Sequence, residues 1–373
     1  MPKPELNPRR AERHADRRGL GRTTWLVIAV AVAVVLGGAI AGAFAGGAFD
    51  RPELVRLPSP GIGSLPYTPP PPPPPPRWPL TGVIGEPVER PALVIKVENS
   101  VDARPQAGLE VADLVFEEMV EGGISRYAAI FHSTLPEVIV PIRSIRPMDG
   151  PMTAWTGGLI AFSGGQYQFI ERARSNGLQI ISMDDGDDGF YRVRGFYAPH
   201  NVGGDPLVFL SLADDNHQAS PPEFCTFDTE GTGSTATLLG VPTSQVAVTI
   251  SSTARPNWNW DPASGRWLRF ERSDPALVAS GEQLSAVNVL ALSVEVVTLA
   301  GTDAAGTHIP ETITVGGGAG LVATNGMTAP ITWQKDSETD TWHFFDANGA
   351  PVVLAPGNTW IELVPTSGNW STS

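Results

Sequence analysis

The stretch Leu114–His132, LVFEEMVEGGISRYAAIFH, decides how the globular part of this 373-residue chain is read. Two apolar runs, Leu114–Val120 and Arg126–His132, flank the turn formers Gly122-Gly123, as two strands around a turn would. Successive side chains of a strand point to opposite faces. Glu117 and Glu118 therefore place a carboxylate on each face of whatever sheet this strand joins. Working outward, the runs Ala92–Val97, Glu137–Ile142 and Gly158–Ser163 predict further strands. Gln166–Asn176 has helical apolar spacing and stops at Gly177, and Pro206–Ala213 begins with Asp205 as N-cap and Pro206 as the first helical residue. The polar stretch Asn216–Ser234 reads as a surface loop. Strands and helices mixed in this way predict a mixed α/β domain over residues 80–243.

Beyond it the pattern changes. Short strand-like runs follow one another, among them Val246–Ile250, Trp267–Glu271, Val287–Leu292, Gly320–Thr324, Ile331–Gln334 and Trp360–Leu363. Asn325-Gly326 and Asn348-Gly349 are hairpin markers. Seven of the ten tryptophans lie past residue 257, where large aromatics suit the core of a small β domain or, if exposed, stacking on sugars. Residues 244–367 are expected to form a smaller, mostly antiparallel β domain, which makes the fold class α+β.

Charge separates the ends of the chain. The formal net charge is −14, yet residues 1–47 hold seven bases and three acids, a net of +4, and leave −18 on the rest. From Thr23 to Phe49 no residue is charged, a length that crosses a bilayer core at ~1.5 Å per residue. The expected topology is a cytoplasmic basic tail (1–22), a transmembrane helix (23–49) and an extracytoplasmic body, held at a cell membrane by a single pass. A cleaved signal peptide would have a shorter apolar region, roughly 7–15 residues. Residues 50–79 form a proline-rich linker whose unbroken Pro69–Pro76 run is a stiff polyproline rod. Cys225 is the only cysteine, which excludes an intrachain disulfide or a thiolate zinc site. The acidic balance argues against nucleic acid as a partner.

Four clusters carry more polar groups than packing needs. Glu117-Glu118 and Glu121 through Arg126 form the first; Arg143 and Arg146, with Asp149 behind them, form the second. Two arginines three apart at a strand end can converge on one anion, because guanidinium forks match phosphate and carboxylate. The third cluster is Ser163-Gly164-Gly165, a turn whose N–H groups can face an anion. The fourth is Arg192 and Arg194 with Pro199-His200-Asn201. The candidate ligand-binding set is Glu118, Glu121, Arg126, Arg143, Arg146, Asp149, His200 and Asn201. The alternative is that the arginines only pair with Glu117, Glu118 or Glu121 as a structural network. No P-loop, dinucleotide fingerprint, nucleophile elbow or His-Glu-x-x-His motif occurs, so no cofactor is expected. Asp184–Gly189 lacks the spacing and distal glutamate of an EF-hand, and no metal is expected there.

These blocks, in this order, resemble the YerB-like lipoprotein family of Gram-positive bacteria, a family of unknown function. The matching residues include Arg90-Pro91-Ala92, Lys96 to Ser100, Ala103 to Leu109, Glu117-Glu118, Glu121 to Arg126, Pro141 to Arg146 with Asp149, and Pro199-His200-Asn201. In the second half they are Trp333-Gln334-Lys335 and Pro356 to Trp360. The resemblance implies two domains and a surface location, and it supplies no reaction. The chain departs from the family by carrying an apolar span instead of a lipid-anchoring cysteine, Val140 before Pro141, Ile145 between the arginines, and no histidine near Asp274-Pro275. In layout alone the arginine strands look like LytR-Cps-Psr phosphotransferases, whose Arg-Asp motif is not reproduced. The expected role is a non-catalytic envelope protein that binds an anionic envelope ligand or a protein partner through an Arg/Glu/His cleft. The competing expectation is an enzyme acting on a phosphate-containing envelope precursor, with Glu118, Glu121, Asp149 or His200 as general base.

Overall fold

The computed structural model describes residues 75–303 and 305–373. The basic tail, the expected membrane span at 23–49 and most of the proline-rich linker lie outside the described residues. Among the described residues no helix is long and apolar enough to cross a membrane. The linker's last residues belong to the body: Trp78 packs edge-on against His132 at 5.3 Å, and Gly85 N donates to Pro76 O at 3.0 Å.

The two strands read from the opening stretch are present as Leu114–Met119 and Ser125–Phe131, paired antiparallel with Glu118 opposite Arg126. Strand Leu93–Glu98 lies on the other side of Ser125–Phe131, with Glu98 also opposite Arg126. Leu93–Glu98 then runs parallel to Leu159–Phe162, and that strand parallel to Gln179–Ser182. Helix Tyr167–Ser175 makes the crossover, and Gly177 at φ 90° lets the chain turn back behind it. Helix Pro206–Ser211 starts as the sequence implies, with Asp205 Oδ1 accepting from Leu207 N at 2.9 Å. The expected strand Glu137–Ile142 does not form. Its residues make only isolated bridges, to Ala107, Gly204 and Val97. This segment carries Pro141 and runs across the ends of other strands, which denies it a continuous ladder.

Helices are few and short; the longest described one has nine residues, so the body is β-rich. The expected segments 80–243 and 244–367 do not each keep a sheet to themselves. One sheet of twelve described strands runs through both segments. Its seam is Thr359–Pro365, which pairs parallel with Leu114–Met119 on one side and with Asn288–Thr302 on the other. Hairpins Gly316–Thr324/Met327–Lys335 and strand His343–Asp346 extend the sheet beyond Asn288–Thr302. The described residues form a single compact unit. The composition shift near residue 244 marks a change of local pattern, which cannot reveal that a late strand inserts beside an early one. Nicking the exposed turn at Asp214–Ser220 should therefore leave both fragments together on gel filtration. Fragments that part without denaturant would show that the shared sheet does not hold them.

Each face of this sheet carries its own core, and the pleat sorts the strands' side chains between them. Leu114, Phe116, Ile130 and Ile361 face one core; Val115, Tyr127, Ala129 and Trp360 face the other. A second sheet covers the Val115 face, with strands Gln245–Thr249, Pro256–Asp261, Arg266–Glu271 and, beyond the expected end at 367, Asn369–Thr372. Trp258 and Trp267 of this sheet are fully buried, as are Trp342 and Trp360, so most of the late tryptophans are core and not sugar platforms.

Candidate anion-binding cleft

The pleat that separates Glu117 from Glu118 makes two charged networks. On the Phe116 face the strand ends bring Lys96, Glu98, Glu118 and Arg126 together. All four are buried. Segment Arg143–Arg146 crosses these ends: Arg143 N donates to Lys96 O at 2.9 Å, and Ser163 N donates to Arg143 O at 3.0 Å. Asp149 fixes the turn that follows, accepting from Arg146 N at 2.6 Å through Oδ2 and from Lys96 Nζ at 2.7 Å through Oδ1. Lys96 Nζ also pairs with Glu118. Two carboxylates around one buried ammonium form a plug behind the surface, and burial above all pushes Lys96 down to about 8.

In front of the plug lies an open cleft of about 560 Å³. Arg126, Arg143, Arg146 and Glu121 line it, with Gly165 and Gln166 on one wall. A Cβ on Gly165 would come within 2.4 Å of Ile145 Cγ2, so only glycine lets this turn lie so close. The opposite wall is the hairpin tip with Asp303 and Thr307, tied across by Gln166 Nε2 donating to Thr302 O at 3.0 Å.

The three arginines are not equivalent. Arg146 Nε donates to Glu121 Oε2 at 2.8 Å, and Arg143 Nε lies 3.2 Å from Glu98 Oε2. Arg126 is 4% exposed and donates from Nη1 to Ser144 O at 2.9 Å, while its Nε has no partner and no carboxylate pairs with it among the described residues. Burial, then the like charges of Arg146 and Arg143, press Arg126 down to about 9.

The sequence-derived set thus divides. Glu121, Arg126, Arg143 and Arg146 meet at the cleft, and Glu118 and Asp149 stand behind it with Lys96. His200 reaches the cluster indirectly, its Nδ1 lying 2.9 Å from Glu98 Oε2. Asn201 turns away and accepts from Arg192 Nη1 at 2.7 Å. Lys96 and Glu98 are missing from that set although a signal existed: two charges in the apolar run LVIKVE are seldom buried without partners. Glu117 pairs with none of these arginines.

Its partner is on the other face. Arg269 Nη2 lies 2.6 Å from Glu117 Oε2 and 2.9 Å from Glu271 Oε1, and Nη1 lies 2.9 Å from Glu362 Oε1. The guanidinium sits over Tyr127, Trp258 and Trp360, 4.8 Å from the Trp360 ring centroid. Glu362, opposite Glu117 across the seam, is raised well above the usual carboxylate range by burial and then by Glu117. A carboxyl raised on folding stabilises fully below its unfolded pKa, and that contribution falls as pH rises above about 4.5. Glu362→Gln mimics the protonated acid and removes this loss. The variant should exceed the parent by about 1–3 kcal/mol at pH 7, with the gap closing toward pH 4.5 in urea melts. A less stable variant at pH 7 would mean that Glu362 is ionised in the fold.

The fold and cleft define a β-rich body in which two sequence segments share one sheet and a buried arginine lines an open cleft. The chain belongs to the DUF3048 family, described as proteins of unknown function: its N-terminal domain matches residues 80–218 and its C-terminal domain residues 246–361. The chain is 33% identical over 126 residues to "Putative lipoprotein YerB" of Bacillus subtilis strain 168, an alignment covering 33% of this chain and 38% of YerB. It is also similar to the crystal structure of the Bacillus subtilis YerB protein, with a TM-score of 0.66 and 23% identity over 79% of this chain and 99% of the other. At that identity the likeness concerns the fold.

Proposed function

We propose that this protein is a membrane-anchored, extracytoplasmic envelope protein that binds a phosphate-bearing anion in the Arg126–Arg143–Arg146 cleft. The charge pattern, the uncharged stretch 23–49 and the similarity to a relative named as a lipoprotein support the location. One observation carries the binding reading. Arg126 is buried beside two other arginines, lines an open cleft, and has an unpartnered Nε. Removing a cation from water costs several kcal/mol unless an anion matches it, and the available carboxylates are committed to Lys96, Arg143 and Arg146. Phosphate offers the acceptor oxygens to which a guanidinium fork donates best. Titration calorimetry with pyrophosphate tests the reading: the parent should bind, and Arg126→Met should not.

A second reading has its own support. Glu98 orients His200 through Nδ1, as a carboxylate orients a general base, next to arginines that would hold a phosphoryl group. If it is right, His200→Ala abolishes turnover of a pyrophosphate-bearing lipid and leaves its binding intact. The other acids suit that role less: Glu118 and Asp149 are fully buried on Lys96, and Glu121 is held by Arg146.

A further inference from the structure

Strands Phe190–Arg192 and Val202–Gly204 form a hairpin whose loop closes against the cleft. Arg143 Nη1 donates to Pro199 O in this loop at 3.3 Å, and the next residue, His200, shares Glu98 with Arg143. The same hairpin carries Arg192 at its strand end and Arg194 in its loop, both exposed, with Arg192 bonded to the neutral Asn201. Neither has a carboxylate partner among the described residues. The hairpin's acids lie at its other end: Asp188 precedes it and Asp205 follows it, where Phe190 pairs with Gly204. On a chain of net charge −14 this loop is a local patch of one sign, continuous with the cleft through Arg143. A single phosphate would satisfy Arg126 and leave this patch with nothing to do.

We infer that the cleft and the loop tip form one basic track that takes a linear chain of repeating phosphates, one end seated at Arg126 and the rest running past Arg143 to Arg192 and Arg194. The inference rests on the reading of the cleft as an anion site. Several separated cationic contacts reward a ligand long enough to reach them all, through effective concentration and not through any new contact at Arg126.

The test compares pyrophosphate with a linear polyphosphate of about ten units, using calorimetry on the parent and on Arg192→Gln/Arg194→Gln. Both positions are exposed, so the double variant should melt like the parent. Its affinity for the long chain should fall by about tenfold, while its affinity for pyrophosphate changes less than about twofold. The statistical advantage of a longer ligand survives in the variant, so the difference between proteins is the diagnostic. Equal affinity of parent and variant for the long chain would overturn the track and leave the cleft reading standing. An equal loss for both ligands would overturn it too, by placing these arginines in the cleft itself. Failure of the parent to bind either ligand would remove both readings. Tighter binding of a ten-nucleotide single strand than of polyphosphate would assign the track to nucleic acid instead.

Discussion

Arg269→Met should cost this protein about 3–5 kcal/mol, the usual penalty for removing one partner of a buried charge network. The arginine is fully buried and touches Glu117, Glu271 and Glu362. Methionine fills much of the volume and still packs on Trp258, Trp360 and Tyr127. What it cannot supply is charge. Glu362 is already biased toward its neutral form, and Glu271 keeps Arg104 at 3.0 Å. Glu117 keeps neutral donors, Ser125 and Asn99, and loses its cation. The melting temperature should fall by about 5–8 °C for a body of this size.

The sign of the pH dependence separates this mechanism from mere loss of packing. In the parent, burial alone would raise Glu271, and Arg269 and then Arg104 outweigh it and bring it below its usual value. A lowered carboxylate gives stability that is present above about pH 4.5 and lost as pH falls through the folded value. Without Arg269 the buried acids around it are pushed upward instead. The variant should then gain stability on acidification from pH 7 to 5, over a range where the parent's contribution from Glu271 stays flat. A variant that melts like the parent, or that loses stability with no change in pH slope, would show that the ring cage and not the ion network holds this seam.

The seam explains what sequence could and could not convey. Alternation in LVFEEM correctly sends Glu117 and Glu118 to opposite faces, because the pleat is a local property. The partners are not local. Arg269 lies 152 positions from Glu117, and nothing in its strand, RWLRFE, distinguishes a buried arginine from an exposed one. The same limit hid the shared sheet. Thr359–Pro365 reads as one more short strand, and only its parallel pairing with Leu114–Met119 makes the two segments one body. The cleft was more legible: Arg143, Arg146 and Asp149 are close in sequence, and Glu121 and Arg126 flank one turn. His200 and Glu98 come together across 102 positions, so their pairing was not readable.

Arg126→Met is expected to do the opposite of Arg269→Met: leave stability unchanged or raise it, and abolish binding. Arg269 is surrounded by acids, whereas Arg126 is crowded by Arg143 and Arg146. Its charge is a cost when buried beside those like charges, so removing it relieves repulsion, a gain of about 1–2 kcal/mol at most once the lost contacts are subtracted. The Ser144 carbonyl that loses Arg126 keeps Arg146 Nη1 at 3.4 Å, so no acceptor is wholly orphaned. Pyrophosphate should meanwhile lose one or two charge-assisted bonds, worth about 1.5–3 kcal/mol each, or roughly 10–150-fold in affinity per bond. Arg146→Met gives the contrast, because it strands Glu121 and should lower stability and binding together. Thermal melts with and without pyrophosphate read both effects at once, since a ligand that binds only the folded state raises the melting temperature by mass action. The parent should shift upward with pyrophosphate, and Arg126→Met should start as high or higher and not shift. If Arg126→Met instead melts several degrees lower and the parent does not respond to pyrophosphate, the arginine is a structural element and the cleft holds no anion. The asymmetry between two buried arginines on opposite faces of one sheet, one ion-paired to three carboxylates and one with no direct ion pair and two arginines beside it, is what makes the two variants move in opposite directions.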